Sequence, residues 1–147
     1  MKKISRFSNG SLAWCLSEYP VIKENTGELG VIELGEQFDF NVKRVFFLRN
    51  LKDEAVRGEH SHKELKQLLL CLKGSLEIHL GNGNEIDIIQ LDEKSSCLYL
   101  DGKVWRKMIN FSKNALLVVL CDREYKFDDV IDDYKSFKKI VGHQNGV

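Results

Sequence analysis

The sequence predicts an all-β protein, a barrel or double-sheet roll finished by one short C-terminal helix, and three observations carry that prediction. From Leu29 onward the chain breaks into short apolar or alternating runs set between polar turns, rather than strands alternating with helices. Eight such runs can be traced, a number that suits a closed or two-sheet roll. Among them, Leu76, Ile78 and Leu80 alternate with Ser75, Glu77 and His79, and Gly81-Asn82-Gly83 follows as a turn able to take positive φ.

The expected strands begin with Leu29–Leu34 and Val42–Asn50, the second carrying Val45-Phe46-Phe47-Leu48. Arg57-Gly58-Glu59-His60-Ser61-His62 comes next. Two histidines one residue apart on a strand point the same way, so both imidazoles can enter one pocket beside the Arg57 guanidinium. The stretch from His62 to Leu70 is rich in helix formers and read alone could be a short helix. The unbroken run Leu68-Leu69-Leu70-Cys71-Leu72, ended by Lys73-Gly74, favours instead a strand over Gln67–Lys73 buried on both faces. That strand continues through Gly74 into Ser75–Leu80, where His79 shares the wet face with Glu77 and is expected to be solvated. Ile86–Leu91, Cys97–Leu100, Trp105–Asn110 and Ala115–Leu120 complete the set. In the tail from Asp122 to Phe137, Phe127, Val130, Ile131, Tyr134 and Phe137 recur at roughly helical spacing, which predicts an amphipathic helix packed on the barrel or on a partner subunit. Residues 138–147 and the first few residues are expected to fray.

A length of 147 residues fits one domain, 1–147, able to bury a core without disulfides or a structural metal. Lys plus Arg and Asp plus Glu number 22 each, so the overall charge favours neither nucleic acid nor a membrane surface. No run approaches the length of a membrane span, and Met1-Lys2-Lys3 leads into polar residues rather than a secretory apolar core, so a cytoplasmic location is expected. Cys15, Cys71, Cys97 and Cys121 are widely spaced and contain no C-x-x-C pair; they read as reduced structural cysteines.

The chemistry gathers around the histidine pair. His60-x-His62, then Gln67, then Gly74 resembles the first signature of the cupin superfamily, whose metal-binding members carry a glutamate where Gln67 stands. The second cupin signature is traced through Gly102, Val104, Trp105, Arg106 and Asn110, with Arg106 in the place of the third metal histidine. A neutral amide replaces the anionic ligand, and a guanidinium has no free lone pair and stays protonated. Two of four ligands are lost, so no metal is expected and the histidines read as acid–base or binding groups. Arg44, Arg57 and Arg106, with Lys73 near them in sequence terms, suit an anion with spread charge such as phosphate.

Longer stretches resemble a narrower family, the cupin sugar 3,4-ketoisomerases (WxcM-like) acting on dTDP-4-keto-6-deoxy-D-glucose. They are Gly27 to Glu33, Lys43-Arg44-Val45, Arg57 to Lys63, Gln67 to Gly74, Leu98-Tyr99 to Val104-Trp105, and Tyr125 through Asp128-Asp129 to Tyr134. The resemblance implies a cupin jelly roll of the RmlC-like kind, a homodimer, and no metal or organic cofactor. It implies a 3-keto product ready for a pyridoxal-phosphate aminotransferase, in deoxyamino-sugar pathways such as those of lipopolysaccharide O-antigens. It places His60 and His62 as the paired catalytic histidines and Arg44 and Arg57 near the nucleotide. Gln67, Tyr99, Trp105 and Arg106 join them as expected substrate-binding residues. A histidine titrating near neutrality suits removal and return of a carbon-bound proton. His62 is expected to be the base, with His60 orienting it, shuttling a proton or stabilising the enediolate.

Two departures stand out. Where the family often has tyrosines after Lys43-Arg44-Val45, this chain has Phe46-Phe47, for which Tyr99 is expected to compensate. Family members carry histidine or arginine after Trp105, and Arg106 points to the gluco-configured product over the galacto one. Three other functions compete: a nucleotide-sugar-binding domain without chemistry, a 3,5-epimerase acting beside the same ketone, and a metal-dependent cupin enzyme.

Overall fold

The computed structural model describes residues 2–5, 14–38, 40–94 and 96–144. Two antiparallel sheets face each other, the arrangement of a cupin jelly roll. The first contains β1 (Lys2–Ser5), β2 (Trp14–Glu18), β10 (Ser96–Leu100), β7 (Gln67–Lys73), β12 (Leu116–Cys121) and β5 (Arg44–Leu48), in that order. The second runs β13 (Val130–Ile131), β6 (Arg57–His62), β11 (Trp105–Ile109), β8 (Ser75–Gly81) and β9 (Ile86–Asp92). A separate hairpin pairs β3 (Val21–Glu24) with β4 (Gly27–Gly30). The described residues also form two α-helices, a single turn, α1 (Leu34–Gln37), and α2 (Tyr134–Gln144), and one turn of 3-10 helix over Phe127–Asp129.

The core follows from strand parity. Leu76, Ile78 and Leu80 on β8 are fully buried and meet Leu69, Leu98 and Leu117 of the other sheet. β7 is buried on both faces: Leu69 and Cys71 point into the barrel, while Leu68 and Leu70 pack outward beneath Phe38 and Cys97. This is why its sequence is an unbroken apolar run rather than an alternation. After β8, Gly83 takes φ +97° and Asn82 Oδ1 accepts the N–H groups of Asn84 and Glu85. The four cysteines are buried and none is in a disulfide.

Three expectations change. The strand expected over Leu29–Leu34 ends at Gly30, and Leu34 opens the α1 turn instead. The C-terminal helix starts at Tyr134, because Val130 and Ile131 add a short strand to β6 opposite His62 and Ser61. Asp133 then caps the helix, its carboxylate accepting the N–H and hydroxyl of Ser136. Phe137 and Val141 pack on Ile131 and Trp105, so the helical stripe does cover the barrel and residues 138–144 continue the helix. At the other end Lys2–Ser5 pairs with β2 rather than fraying; Met1 lies outside the described residues. Among the described residues, no helix is long and apolar enough to cross a membrane.

Candidate active site

The site begins with an irregularity in β6. Across β11, Arg106 faces His60, but Lys107 faces Gly58 and Met108 faces Arg57, which leaves Glu59 as the extra residue of a β-bulge. Gly58 has φ +84° and Glu59 φ +57°, a left-handed pair; a Cβ on Gly58 would stand 2.8 Å from the Arg106 carbonyl oxygen. Strict alternation would turn Arg57 away from His60 and His62. The bulge brings it round, so Arg57, Gly58, His60 and His62 all line one cavity of about 370 Å³. Arg44 and Phe46 of β5, Gln67 of β7, and Tyr125 from the C-terminal segment share its wall.

The two imidazoles meet edge to face, with ring centroids 4.8 Å apart. His62 Nδ1 lies 3.1 Å from Asp129 Oδ2, and the other oxygen of that carboxylate accepts the Glu64 backbone N–H at 2.9 Å. A carboxylate so held makes Nδ1 the protonated nitrogen and leaves Nε2 as the lone-pair atom. That Nε2 is closed off from solvent and has no hydrogen-bond partner among the described residues. Burial holds His62 well below the ordinary histidine pKa, reinforced by Arg106 and His60 and only partly opposed by Asp129. Burial also lowers His60, against the effect of its hydrogen bond to the Gly58 backbone. Both rings are therefore neutral at pH 7 and able to accept a proton.

Arg44 and Arg57 make the cavity cationic. The Arg44 guanidinium lies over the rings of Tyr125 at 5.5 Å and Phe46 at 5.7 Å. Its Nη2 donates to Cys121 Sγ at 3.6 Å, and its buried Nε has no partner among the described residues. Neither Arg44 nor Arg57 pairs with a carboxylate among the described ion pairs. Two guanidinium groups left without anions on one wall suit a phosphate-bearing ligand.

Arg106 is the largest fully buried side chain among the described residues. Its Nη1 donates to Gln67 Oε1 at 2.6 Å, its Nη2 to the carbonyls of Asp101, Gly102 and Val104, and its Nε to Val104 again. Burial lowers its pKa to about 10, still a cation at neutral pH. Among the described residues, no three His, Cys, Asp or Glu side chains come together to hold a metal, and a cation in the ligand position repels one. Arg106 was expected to bind substrate, but the structure commits its donors to Gln67 and main-chain carbonyls and leaves it off the cavity wall. Its contact with the cavity runs through Gln67, whose Nε2 also donates to Cys121 Sγ at 3.6 Å.

Three further expectations are corrected. Tyr99 stacks on Phe38 at 5.3 Å on the outer face of the six-stranded sheet, because Tyr99 pairs in register with Leu68, the outward residue of β7. It cannot stand in for a phenol at the histidines. Trp105, one residue from inward Arg106, points outward and meets Tyr134 edge to face at 5.2 Å. His79 borders the same outer recess, half-buried, with Nε2 3.4 Å from the Glu77 carboxylate rather than freely solvated. Lys73 is exposed at the far end of β7 and lines no part of the cavity. Conversely, Asp129 and Tyr125 join the site although neither was singled out as a site residue; an acidic residue just before the β-branched pair Val130-Ile131 was the available signal for the first.

Comparison with known proteins fits this geometry. The family model described as WxcM-like, C-terminal, matches residues 6–142. A TDP-4-oxo-6-deoxy-alpha-D-glucose-3,4-oxoisomerase of Aneurinibacillus thermoaerophilus is 38% identical over 124 residues, covering 84% of this chain and 89% of that protein. Among solved structures, QdtA, a sugar 3,4-ketoisomerase from Thermoanaerobacterium thermosaccharolyticum in complex with TDP, superposes with a TM-score of 0.86 at 33% identity, over 90% of this chain and 96% of that one. A 3,4-ketoisomerase from Helicobacter canadensis gives 0.83 at 32%, over 88% and 97%. A neutral histidine pair, two arginines beside it without a carboxylate partner among the described residues, and a match along nearly the whole chain lead to one assignment: the chain belongs to the WxcM-like family of cupin sugar 3,4-ketoisomerases.

Proposed function

We propose that the protein isomerises dTDP-4-keto-6-deoxy-D-glucose, moving the carbonyl from C4 to C3 by histidine proton transfer through an enediolate. The observation that carries this reading is the placement of neutral His60 and His62 in the same cavity as Arg44 and Arg57, neither of which has a carboxylate partner among the described residues. The arginines hold the diphosphate, and the sugar ring reaches the imidazoles. The relatives named for the same reaction support the substrate class.

The proton at C3 is acidified by the adjacent C4 ketone. A neutral imidazole removes it, the enediolate carries the charge across O3 and O4, and a proton returns at C4. General acid–base help of this kind contributes about 10² to 10⁴ in rate. The sequence alone favoured His62 as the base. The sealing of His62 Nε2 from solvent argues for His60, half-exposed in the cavity, as the ring that meets the substrate. His62, oriented by Asp129, then packs edge-on against His60 and holds it in place. Gln67, held by buried Arg106, is the group through which that arginine biases protonation of C4 towards the gluco product. The enzyme works as a cytoplasmic homodimer in deoxyamino-sugar synthesis, ahead of a 3-aminotransferase.

Incubation with authentic dTDP-4-keto-6-deoxyglucose in D₂O tests the reading. The expected result is a 3-keto product, seen by NMR or trapped by a 3-aminotransferase, with deuterium at C4. Label at C5 instead identifies a 3,5-epimerase, and no conversion with intact dTDP binding leaves a binding domain.

A further inference from the structure

Moving a carbonyl to its neighbour needs proton traffic on oxygen as well as on carbon. O4 must gain a proton as the enediol forms and O3 must lose one as it collapses. A single imidazole engaged with C3 and C4 does not supply both. Resting on the function proposed above, we infer that Tyr125 is the oxygen-side proton shuttle of this enzyme.

Among the described residues, the cavity wall allows few alternatives. Arg44 and Arg57 stay protonated, the Gln67 amide is held by Arg106 and Cys121, and Phe46, Leu48, Met108 and Val130 have nothing to exchange. His62 is bound to Asp129 with its other nitrogen sealed. Ser61 lies off the cavity wall and donates to the Gly102 carbonyl at 2.9 Å. Of the chain's four tyrosines, Tyr125 alone lines this cavity. Tyr99 and Tyr19 pack in the outer apolar cluster, and Tyr134 packs against Trp105.

Position also suits the task. Tyr125 is 61% exposed, so its hydroxyl is open to an entering ligand. The Arg44 guanidinium lies over its ring at 5.5 Å and holds it at the cavity wall. The protons balance: C3–H passes to His60 while the phenol protonates O4. The resulting phenolate then takes the O3 proton, and His60, its proton exchanged with solvent in the open cavity, delivers one to C4. Nothing is oxidised or reduced overall, and both residues finish as they began.

Tyr125→Phe keeps the ring beneath Arg44 and removes only the hydroxyl. The expected result is a fall in kcat of about 10²-fold with KM within threefold of the parent. In D₂O the variant should also wash deuterium into C3 of recovered substrate faster, relative to product formation, because the enediolate returns before its oxygens exchange roles. Adding Phe46→Tyr, whose ring also lies 5.7 Å from the Arg44 guanidinium in the same cavity, should restore part of kcat. Turnover within twofold of the parent overturns the assignment. So does a loss of turnover with the exchange-to-conversion ratio unchanged, which marks a damaged cavity. A parent enzyme inactive on the substrate overturns the function itself, and is read before any variant is made.

Discussion

His62 and Asp129 face each other at 3.1 Å because Val130, the residue after Asp129, pairs in register with His62. The carboxylate fixes one imidazole, and that imidazole meets the edge of the next. Asp129→Ala removes the acceptor and leaves a buried N–H unsatisfied, a loss of about 1–3 kcal/mol. Denaturant unfolding should register it as a lowered midpoint, with kcat reduced at least tenfold. A variant as stable and as active as the parent removes Asp129 from the site.

Replacing each histidine separates their roles. His60→Asn should abolish both turnover and solvent exchange at C3 while calorimetric affinity for TDP stays within a few-fold of the parent. His62→Asn should slow turnover yet leave measurable C3 exchange, since His60 remains. The reverse pattern returns the base to His62.

Arg57 and Arg44 should act on binding. A charge-assisted hydrogen bond of about 1.5–3 kcal/mol corresponds to roughly a tenfold or greater rise in KM and in the Kd for TDP when either is changed to alanine. For Arg57→Ala, kcat should change little. Raising the ionic strength should weaken the parent's binding more than the variants'. An unchanged Kd for TDP moves the phosphates elsewhere.

Acid should destabilise the fold through the histidines. Both are held below the ordinary value of 6.5, so below that pH the unfolded chain binds protons that the native state refuses. Stability therefore falls as pH drops from about 6.5 toward the folded values, by up to about 1.4 kcal/mol per pH unit for each group. Thermal midpoints between pH 7 and pH 4.5 should drop less steeply in His62→Gln than in the parent. The same shifts place the acidic limb of kcat/KM below 6.5; a limb at or above that value contradicts them.

Much of this was legible in the chain. The Ser75–Leu80 alternation and the Leu68–Leu72 run each have a single comfortable placement, one face buried and both faces buried, and the barrel respects the first throughout and the second as far as Cys71, Leu72 being exposed. Gln67 and Arg106 removed the metal reading by chemistry alone, and their 2.6 Å hydrogen bond shows them to be one unit. What sequence parity could not reach was anything decided between distant segments. Tyr99 is outward because of its register against Leu68, and Tyr125 enters the cavity because the chain from Asp122 to Ile131 closes over β6. Local period assigned Val130 and Ile131 to a helix, but the free edge of β6 recruited them as a strand.

The bulge at Gly58-Glu59 gives the catalytic strand an uncommon information density. Six consecutive residues, Arg57 to His62, carry an anion grip and a proton-transfer pair on one side of the chain, a set that strict alternation of the same six would split between two faces. The whole arrangement is therefore sensitive to counting rather than to chemistry. Drawing Glu59, an exposed residue that lines no part of the cavity, into regular register opposite Lys107 would restore the even alternation of all six residues and send Arg57 to the opposite face, separating the substrate's handle from its reactive centre without altering a single functional side chain.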